Sequence, residues 1–216
     1  MKKILPLLLF ALLPLWSCNL EGGYYAENAR DIVTVSGDRL YSDNGAYYTV
    51  TDYGTVGKDW QADGKRLYIV FDILNKDLEI RLKSVDPMTV TEATPLDPEE
   101  VLPHDPLIVQ FCRIGAGYMD ISVSFFQKPA TTCPHNISFR YSIDAALQKL
   151  TVTAVHDGAG EDPSKENEED LKVETRFFSI PLKNMENVTM ADLVVDVLVK
   201  DNNGKYAVQS ETYHTY

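Results

Sequence analysis

The chain has 216 residues and carries 20 Lys and Arg against 32 Asp and Glu, a formal net charge of −12. Its 44% hydrophobic and 24% charged residues are typical of a globular protein and exclude a collagen-like or wholly disordered chain. The acidic balance argues against nucleic acid as a partner, because binding to phosphates draws its affinity from Lys and Arg.

The N-terminus has the pattern of a secretory signal. Lys2 and Lys3 precede an unbroken apolar run over residues 4–16. This run is shorter than the roughly 20 apolar residues that a membrane-spanning helix needs. A short basic region followed by such a run is typical of a signal peptide, which is removed from the mature protein.

The end of this segment predicts a lipid anchor. Leu15-Trp16-Ser17-Cys18 resembles a bacterial lipobox, although Trp16 is unusual at its position. The resemblance implies that residues 1–17 are a lipoprotein signal peptide and that acylated Cys18 is the mature N-terminus, held to the membrane by its acyl chains. Asn19, where Asp would favour inner-membrane retention, favours the outer membrane, on either its periplasmic or its surface face. An ordinary secretory signal is the alternative.

Residues 18–29 are predicted to form a tether, and residues 30–95 a small barrel of about five strands. The segments with strand periodicity or β-rich composition are residues 31–36, 46–51, 65–74 and 77–85. In the last of these, Leu78, Ile80 and Leu82 alternate with charged residues. The Asn44-Gly45 and Asp63-Gly64 pairs supply the turn chemistry.

Five prolines within twenty residues mark a change of composition after the barrel. They are Pro87, Pro95, Pro98, Pro103 and Pro106. Because proline cannot donate to a strand ladder, residues 96–105 are predicted to be a linker. Residues 106–216 then contain about seven strand-like segments, the pattern of an antiparallel sandwich. The sequence therefore predicts an all-β protein, a small OB-like barrel followed by an immunoglobulin-like antiparallel β-sandwich.

The layout resembles that of the NigD-like lipoproteins of Gram-negative anaerobes. Thr153-Ala154-Val155-His156-Asp157 is similar to a strand that ends in FRH in that family, and Phe178-Ser179-Ile180-Pro181-Leu182 is similar to its SFPL segment. Residues 64–74 resemble the GQRV…NYTIL strand of its barrel. The resemblance implies an OB-like barrel and a β-sandwich behind a lipobox. It implies no established enzyme activity, cofactor or ligand.

No catalytic, cofactor or metal site is predicted. The chain lacks the G-x-S-x-G, H-E-x-x-H and P-loop patterns. Its histidines, His104, His135, His156 and His214, lack metal-ligand spacing, and each is expected in a turn or at the surface. His156 with Asp157 is the pair that the family resemblance touches. The acidic residues 158–172 could bind Ca²⁺, but a solvated loop is the expected alternative because EF-hand spacing is absent.

Cys112 and Cys133 are expected to remain reduced. In the predicted hairpin they are offset by about six residues, or roughly 20 Å. A disulfide needs α-carbons within about 7 Å, so it would require a different strand register.

The aromatic residues of the barrel suggest one binding chemistry. Tyr47, Tyr48 and Trp60 are the candidates for stacking against a sugar, and adjacent tyrosines in a strand must face opposite sides. The alternative is that they fill the core.

The function predicted from the sequence is a non-enzymatic binding or interaction module anchored to the outer membrane, with an immunity-type role as one version. A protein or other envelope component is the expected partner. A carbohydrate-binding accessory lipoprotein is the alternative, and an unrecognised enzyme and a passive structural lipoprotein remain open.

Overall fold

A computed structural model describes residues 26–103, 105–128, 134–147, 149–160, 171–185, 193–200 and 206–213, the last two ranges by their backbone alone. The predicted signal peptide, Cys18 and most of the tether lie outside the described residues. His104, Cys133, His214 and most of the acidic loop also lie outside them.

The first part of the chain forms a closed five-stranded barrel. Its strands are β1 (Ala26–Ser36), β2 (Arg39–Ser42), β3 (Tyr47–Asp52), β4 (Arg66–Ile73) and β5 (Glu79–Pro87). Their order around the barrel is β1-β2-β3-β5-β4, and β4 closes it by pairing with β1. Strands β3 and β5 run parallel, and the other neighbours run antiparallel. This confirms the predicted OB-like barrel.

Strand alternation determines which side chains form the core of the barrel. Leu67, Ile69 and Phe71 of β4 are buried against Ile80 and Leu82 of β5. Burying side chains of this size stabilises the fold by about 1.5–3 kcal/mol each.

Two details of the barrel differ from the prediction. The short strand β2 was not predicted, since only four residues separate two turns there. Strand β5 begins at Glu79 because Leu78 has a positive φ of 58° and belongs to the preceding turn.

The remaining strands form two sheets packed face to face. They are β6 (Thr89–Val90), β7 (Ala93–Pro95), β8 (Ile108–Gly115), β9 (Tyr118–Gln127), β10 (Asn136–Asp144), β11 (Lys149–Asp157), β12 (Lys172–Pro181), β13 (Leu193–Lys200) and β14 (Tyr206–Tyr213). One sheet has the order β6-β12-β9-β8 and the other β14-β13-β11-β10-β7. A 3₁₀ turn at Leu182–Asn184 follows β12.

The sandwich core lies between these sheets. Met119, Ile121, Val123 and Phe125 of β9 face it, as their alternation predicts, and they meet side chains such as Phe139 of β10. The sandwich is confirmed, and its sheets are mixed. β6 with β12, β7 with β10, and β11 with β13 pair in parallel.

The segment after the barrel is bound to the sandwich by strand pairing and hydrogen bonds. Residues 89–95, assigned to the barrel from the sequence, form β6 and β7 in the sandwich sheets. Farther along, the N–H of Leu96 donates to the carbonyl of Tyr141 and the N–H of Asp105 to that of His156. The carboxylate of Glu100 accepts hydrogen bonds from Nε and Nη2 of Arg140. The proline-rich connector therefore runs along β10 and the end of β11.

Candidate functional site

A buried arginine joins the barrel to the sandwich. The Arg66 guanidinium, at the start of β4, donates to both oxygens of Asp43 at 3.0 and 2.8 Å. It also donates to Asp120 of β9 at 2.7 Å and to the hydroxyl of Ser179 of β12 at 2.9 Å. Arg66 and its two carboxylate partners are almost completely shielded from water. Such a shielded, multiply bonded guanidinium fixes how the two domains meet.

Burial changes the acidity of Asp120. Loss of solvation raises the pKa of this carboxyl to about 6, and the nearby negative charge of Asp43 adds to the rise. The positive charge of Arg66 and the hydrogen bond from Ser179 oppose it. Asp120 therefore takes up a proton at a higher pH than an ordinary aspartate does. Its pairing with Arg66 limits this rise, because it favours the charged form.

A second arginine extends the network toward the surface. Arg113 of β8 donates to Asp31 of β1 at 3.0 Å and to Asp43 at 3.3 Å. Asp31 also accepts hydrogen bonds from the hydroxyls of Ser42 and Tyr48, at 2.5 and 3.1 Å. Burial, followed by the charge of Asp31, raises the pKa of Tyr48 to about 12. Tyr48 is thus a neutral donor that orients Asp31 toward the sandwich.

This network is built for structure. The Ser179 hydroxyl donates to the Asp120 carboxylate beneath the barrel, whereas an activated serine nucleophile needs an accessible hydroxyl bonded to a base that can take its proton. Within the described ranges, no group of three or more His, Cys, Asp or Glu side chains is placed to hold a metal ion.

Three aromatic rings lie next to the network, on the same outer face of the sandwich sheet. Tyr68 of β4 stacks against Phe111 of β8 and Phe177 of β12, with ring centroids 5.3 and 5.1 Å apart. Both cross-strand registers place Ser122 of β9 between the two phenylalanines. Its buried hydroxyl finds no hydrogen-bond partner among the described residues. The barrel therefore inserts one ring into the outer face of the sandwich sheet.

Beyond Tyr68 the same sheet face is open to solvent. Val173 of β12 and Ile108 of β8 expose 54% and 38% of their surfaces. Phe126 is the cross-strand neighbour of Val173 and shares its face by strand alternation. We define Ile108, Phe111, Phe126, Val173 and Phe177 as the exposed sandwich face. Such a cluster of apolar and aromatic side chains is typical of an interaction surface.

A pair of histidines closes one end of the sandwich core. His135 Nδ1 and His156 Nε2 lie 3.0 Å apart, and His156 Nδ1 lies 3.0 Å from the carbonyl of Pro106. Both rings pack on Phe125. The Arg176 guanidinium lies 5.0 Å from the centre of that same ring and donates to the carbonyl of His135.

The expectation that His135 and His156 lie in turns or at the surface was wrong. Each is only 3% exposed. His135, just before β10, is buried against Phe125 and His156. His156 is buried because it continues the inward alternation of Leu150, Val152 and Ala154 along β11. That alternation could have identified it. Burial, opposed by the hydrogen bond to Pro106 and reinforced by His135, lowers the pKa of His156.

The three residues predicted to stack on sugars lie in different environments. Tyr48 packs against Phe71 inside the barrel, and Trp60 is buried near Tyr53. Tyr47 points outward with 51% of its surface exposed, so adjacent tyrosines face opposite sides as predicted. Of the three, Tyr47 alone offers an accessible ring. It packs against the half-buried ring of Tyr41 of β2, with ring centroids 4.7 Å apart.

Solved structures share the barrel-and-sandwich fold over most of the chain. A NigD-like immunity protein from Bacteroides caccae superposes with a TM-score of 0.61 at 17% identity, covering 89% of this chain and all of that one. The chain has the NigD-like fold. The resemblance predicted from the sequence is confirmed at the level of the fold. Neither a protein-family model nor a curated protein sequence matches the chain significantly.

Two further structures have the same NigD-like fold. A protein of unknown function from Bacteroides vulgatus superposes with a TM-score of 0.64 at 15% identity, covering 88% of this chain and 91% of that one. A proposed lipoprotein from Bacteroides fragilis gives 0.53 at 12% identity, covering 87% and 96%. None of these three neighbours is described as an enzyme. In the described part of this chain, no helix has the length and hydropathy to cross a membrane.

Proposed function

We propose that this protein is a non-enzymatic binding lipoprotein of the outer membrane, anchored by acyl chains on Cys18. The lipobox-like sequence that ends at Cys18 supports the anchor. The Bacteroides fragilis neighbour with the same fold, itself a proposed lipoprotein, supports it too. The immunity protein among those neighbours supports a protein as the partner, including an immunity-type role in which a toxin is intercepted at the envelope.

The exposed sandwich face is the observation that carries the binding role. It combines accessible aliphatic side chains with aromatic ones, beside the partly exposed cation of Arg113. Protein interfaces commonly pair an apolar and aromatic centre with a polar rim. The Arg66 network holds this face rigid against the barrel, which lowers the entropy lost on binding. The lipid anchor raises its effective concentration near other membrane-bound proteins.

Photo-crosslinking in living cells tests this proposal. A crosslinking amino acid replaces Ile108 on the exposed sandwich face, and in the control it replaces Leu147, which is 67% exposed on the β10–β11 turn. We expect a discrete adduct with a heterologous protein, identified by mass spectrometry, from position 108 and not from position 147. Equal adducts from both positions, or none from position 108, would contradict the role of this face.

Glycan binding is the second candidate function. The exposed ring of Tyr47, packed beside the half-buried Tyr41, is the observation that favours it, because an accessible aromatic ring can stack against a sugar ring. It predicts that a glycan raises the melting temperature of the protein and that Tyr47→Ala abolishes this shift. An unchanged shift in Tyr47→Ala would remove the tyrosine pair as the site.

A further inference from the structure

Strand β12 has an open edge on one side of its sheet. Along its whole length it pairs with β9, but on the other side β6 pairs with it only at Phe178 and Ser179. Of the residues the structure describes, none pairs with Val173 or Thr175 on that side. An open edge of this kind is a template for adding another strand.

The direction of the backbone groups can be read from one hydrogen bond. The N–H of Thr91 donates to the carbonyl of Ser179 on the β6 side. Because backbone groups of alternate residues point to the same edge, those of Val173 and Thr175, and the N–H of Phe177, also point there. These are the residues whose side chains lie on the outer face of the sheet.

The sequence along this edge is complementary to itself. Residues 173–177 read Val-Glu-Thr-Arg-Phe, with acid and base placed symmetrically about Thr175. Glu174 and Arg176 already form an ion pair at 2.6 Å within the chain, and both remain about 30% exposed. Charged residues normally protect such an edge by repulsion, but here a two-fold pairing would bring opposite charges together.

We infer that β12 pairs with the β12 of a second copy of this chain, antiparallel about Thr175. Thr175 then faces itself, Glu174 faces Arg176 of the other copy, and Val173 faces Phe177 of the other copy. The ladder contains about four hydrogen bonds and stops at Phe177, where β6 occupies the edge. The dimer joins the two four-stranded sheets into one and makes the two exposed sandwich faces continuous. It does not depend on the proposed partner protein.

Disulfide trapping in the membrane of intact cells tests the register, with the full-length protein. In the predicted pair, the α-carbons of the two Thr175 residues are about 5.5 Å apart, within reach of a disulfide. The two Val173 residues are about 14 Å apart, four residues out of register. We expect Thr175→Cys to give at least about tenfold more disulfide-linked dimer than Val173→Cys, the matched control. No dimer from Thr175→Cys, or equal amounts from both variants, would overturn the inference.

A charge exchange provides the second test, with a readout that does not rely on disulfide formation. Glu174→Lys and Arg176→Glu each place like charges across the two-fold pair and also break the ion pair within the chain. Only a mixed dimer of the two variants restores attraction, and it does so between chains. We expect differently tagged copies of the two variants to co-purify, when co-expressed, at least about tenfold more than two tagged copies of either variant alone. Equal co-purification in all three pairings would overturn the inference.

Discussion

Arg66 of the barrel and Asp120 of the sandwich meet at 2.7 Å with both side chains shielded from water. They are the centre of the contact that makes two β domains one body. Buried ion pairs contribute little net stability when intact, because both charges lose solvation, but breaking one leaves an unpaired charge in the interior. The pair therefore specifies how the domains dock.

Removing the Arg66 guanidinium should be costly. Arg66→Met leaves Asp43 and Asp120 without their shared cation, and we expect the free energy of unfolding to fall by about 3–5 kcal/mol. Urea unfolding measures the change. Arg81→Met is the matched control, because Arg81 pairs with Asp52 in the open and its loss should leave the free energy of unfolding nearly unchanged. Similar losses in both variants would show that the junction is not held by Arg66.

The raised pKa of Asp120 predicts a pH-dependent stability difference. A carboxyl whose pKa is higher in the folded state, about 6 against 3.8, binds its proton more tightly there. Its contribution to stability therefore falls as pH rises from about 4 to above 6. Asp120→Asn lacks this titration, so its stability relative to the wild type should increase between pH 4 and pH 7. The same difference in unfolding free energy between Asp120→Asn and the wild type at both pH values would contradict this.

His156 predicts the opposite dependence at the far end of the sandwich. Its pKa is lowered in the folded state, so the unfolded chain binds more protons below the ordinary histidine pKa of 6.5. The stability that His156 contributes is present above pH 6.5 and is lost as pH falls below it. Hydrogen exchange at β10 and β11 should accelerate from pH 7 to pH 5 in the wild type, after correction for the intrinsic rates. In His156→Gln it should change less. Equal acceleration in both proteins would remove His156 as the cause.

The barrel aromatics should separate into core and surface residues. Trp60→Ala should cost about 3–5 kcal/mol because it empties a buried site. Tyr47→Ala should cost less than about 1 kcal/mol, since its ring packs mainly against Tyr41 at the surface. Thermal unfolding of the two variants measures the difference. A large loss for Tyr47→Ala would mean that the tyrosine pair is structural.

Strand alternation accounts for most of what could be predicted about the fold. Along β9, the alternation of Met119 and Ile121 with Asp120 and Ser122 predicts that the two sets lie on opposite faces, and the structure confirms this division. Alternation does not reveal what covers the polar face. Asp120 and Ser122 are fully buried because the barrel packs on them, a contact between residues as distant in sequence as Arg66 and Asp120.

Strand partners were equally hidden in the sequence. The pattern of β13 identifies a strand but not its parallel pairing with β11. Strands β6 and β7 have too few residues for any periodicity, so their place in the sandwich follows only from the fold. The candidate site depends on these contacts. Phe111, Phe177 and Tyr68 come together from three strands, and no local motif predicts their stacking.

Lipidation of Cys18 is the most direct test of the proposed function. Cells expressing the full-length protein are labelled with an alkyne analogue of palmitate, and the label on the protein is measured in separated inner and outer membranes. We predict label on the wild type in the outer membrane, label retained in the control Cys133→Ala, and none on Cys18→Ala. Unlabelled wild-type protein, or label that persists in Cys18→Ala, would contradict a lipid anchor at Cys18.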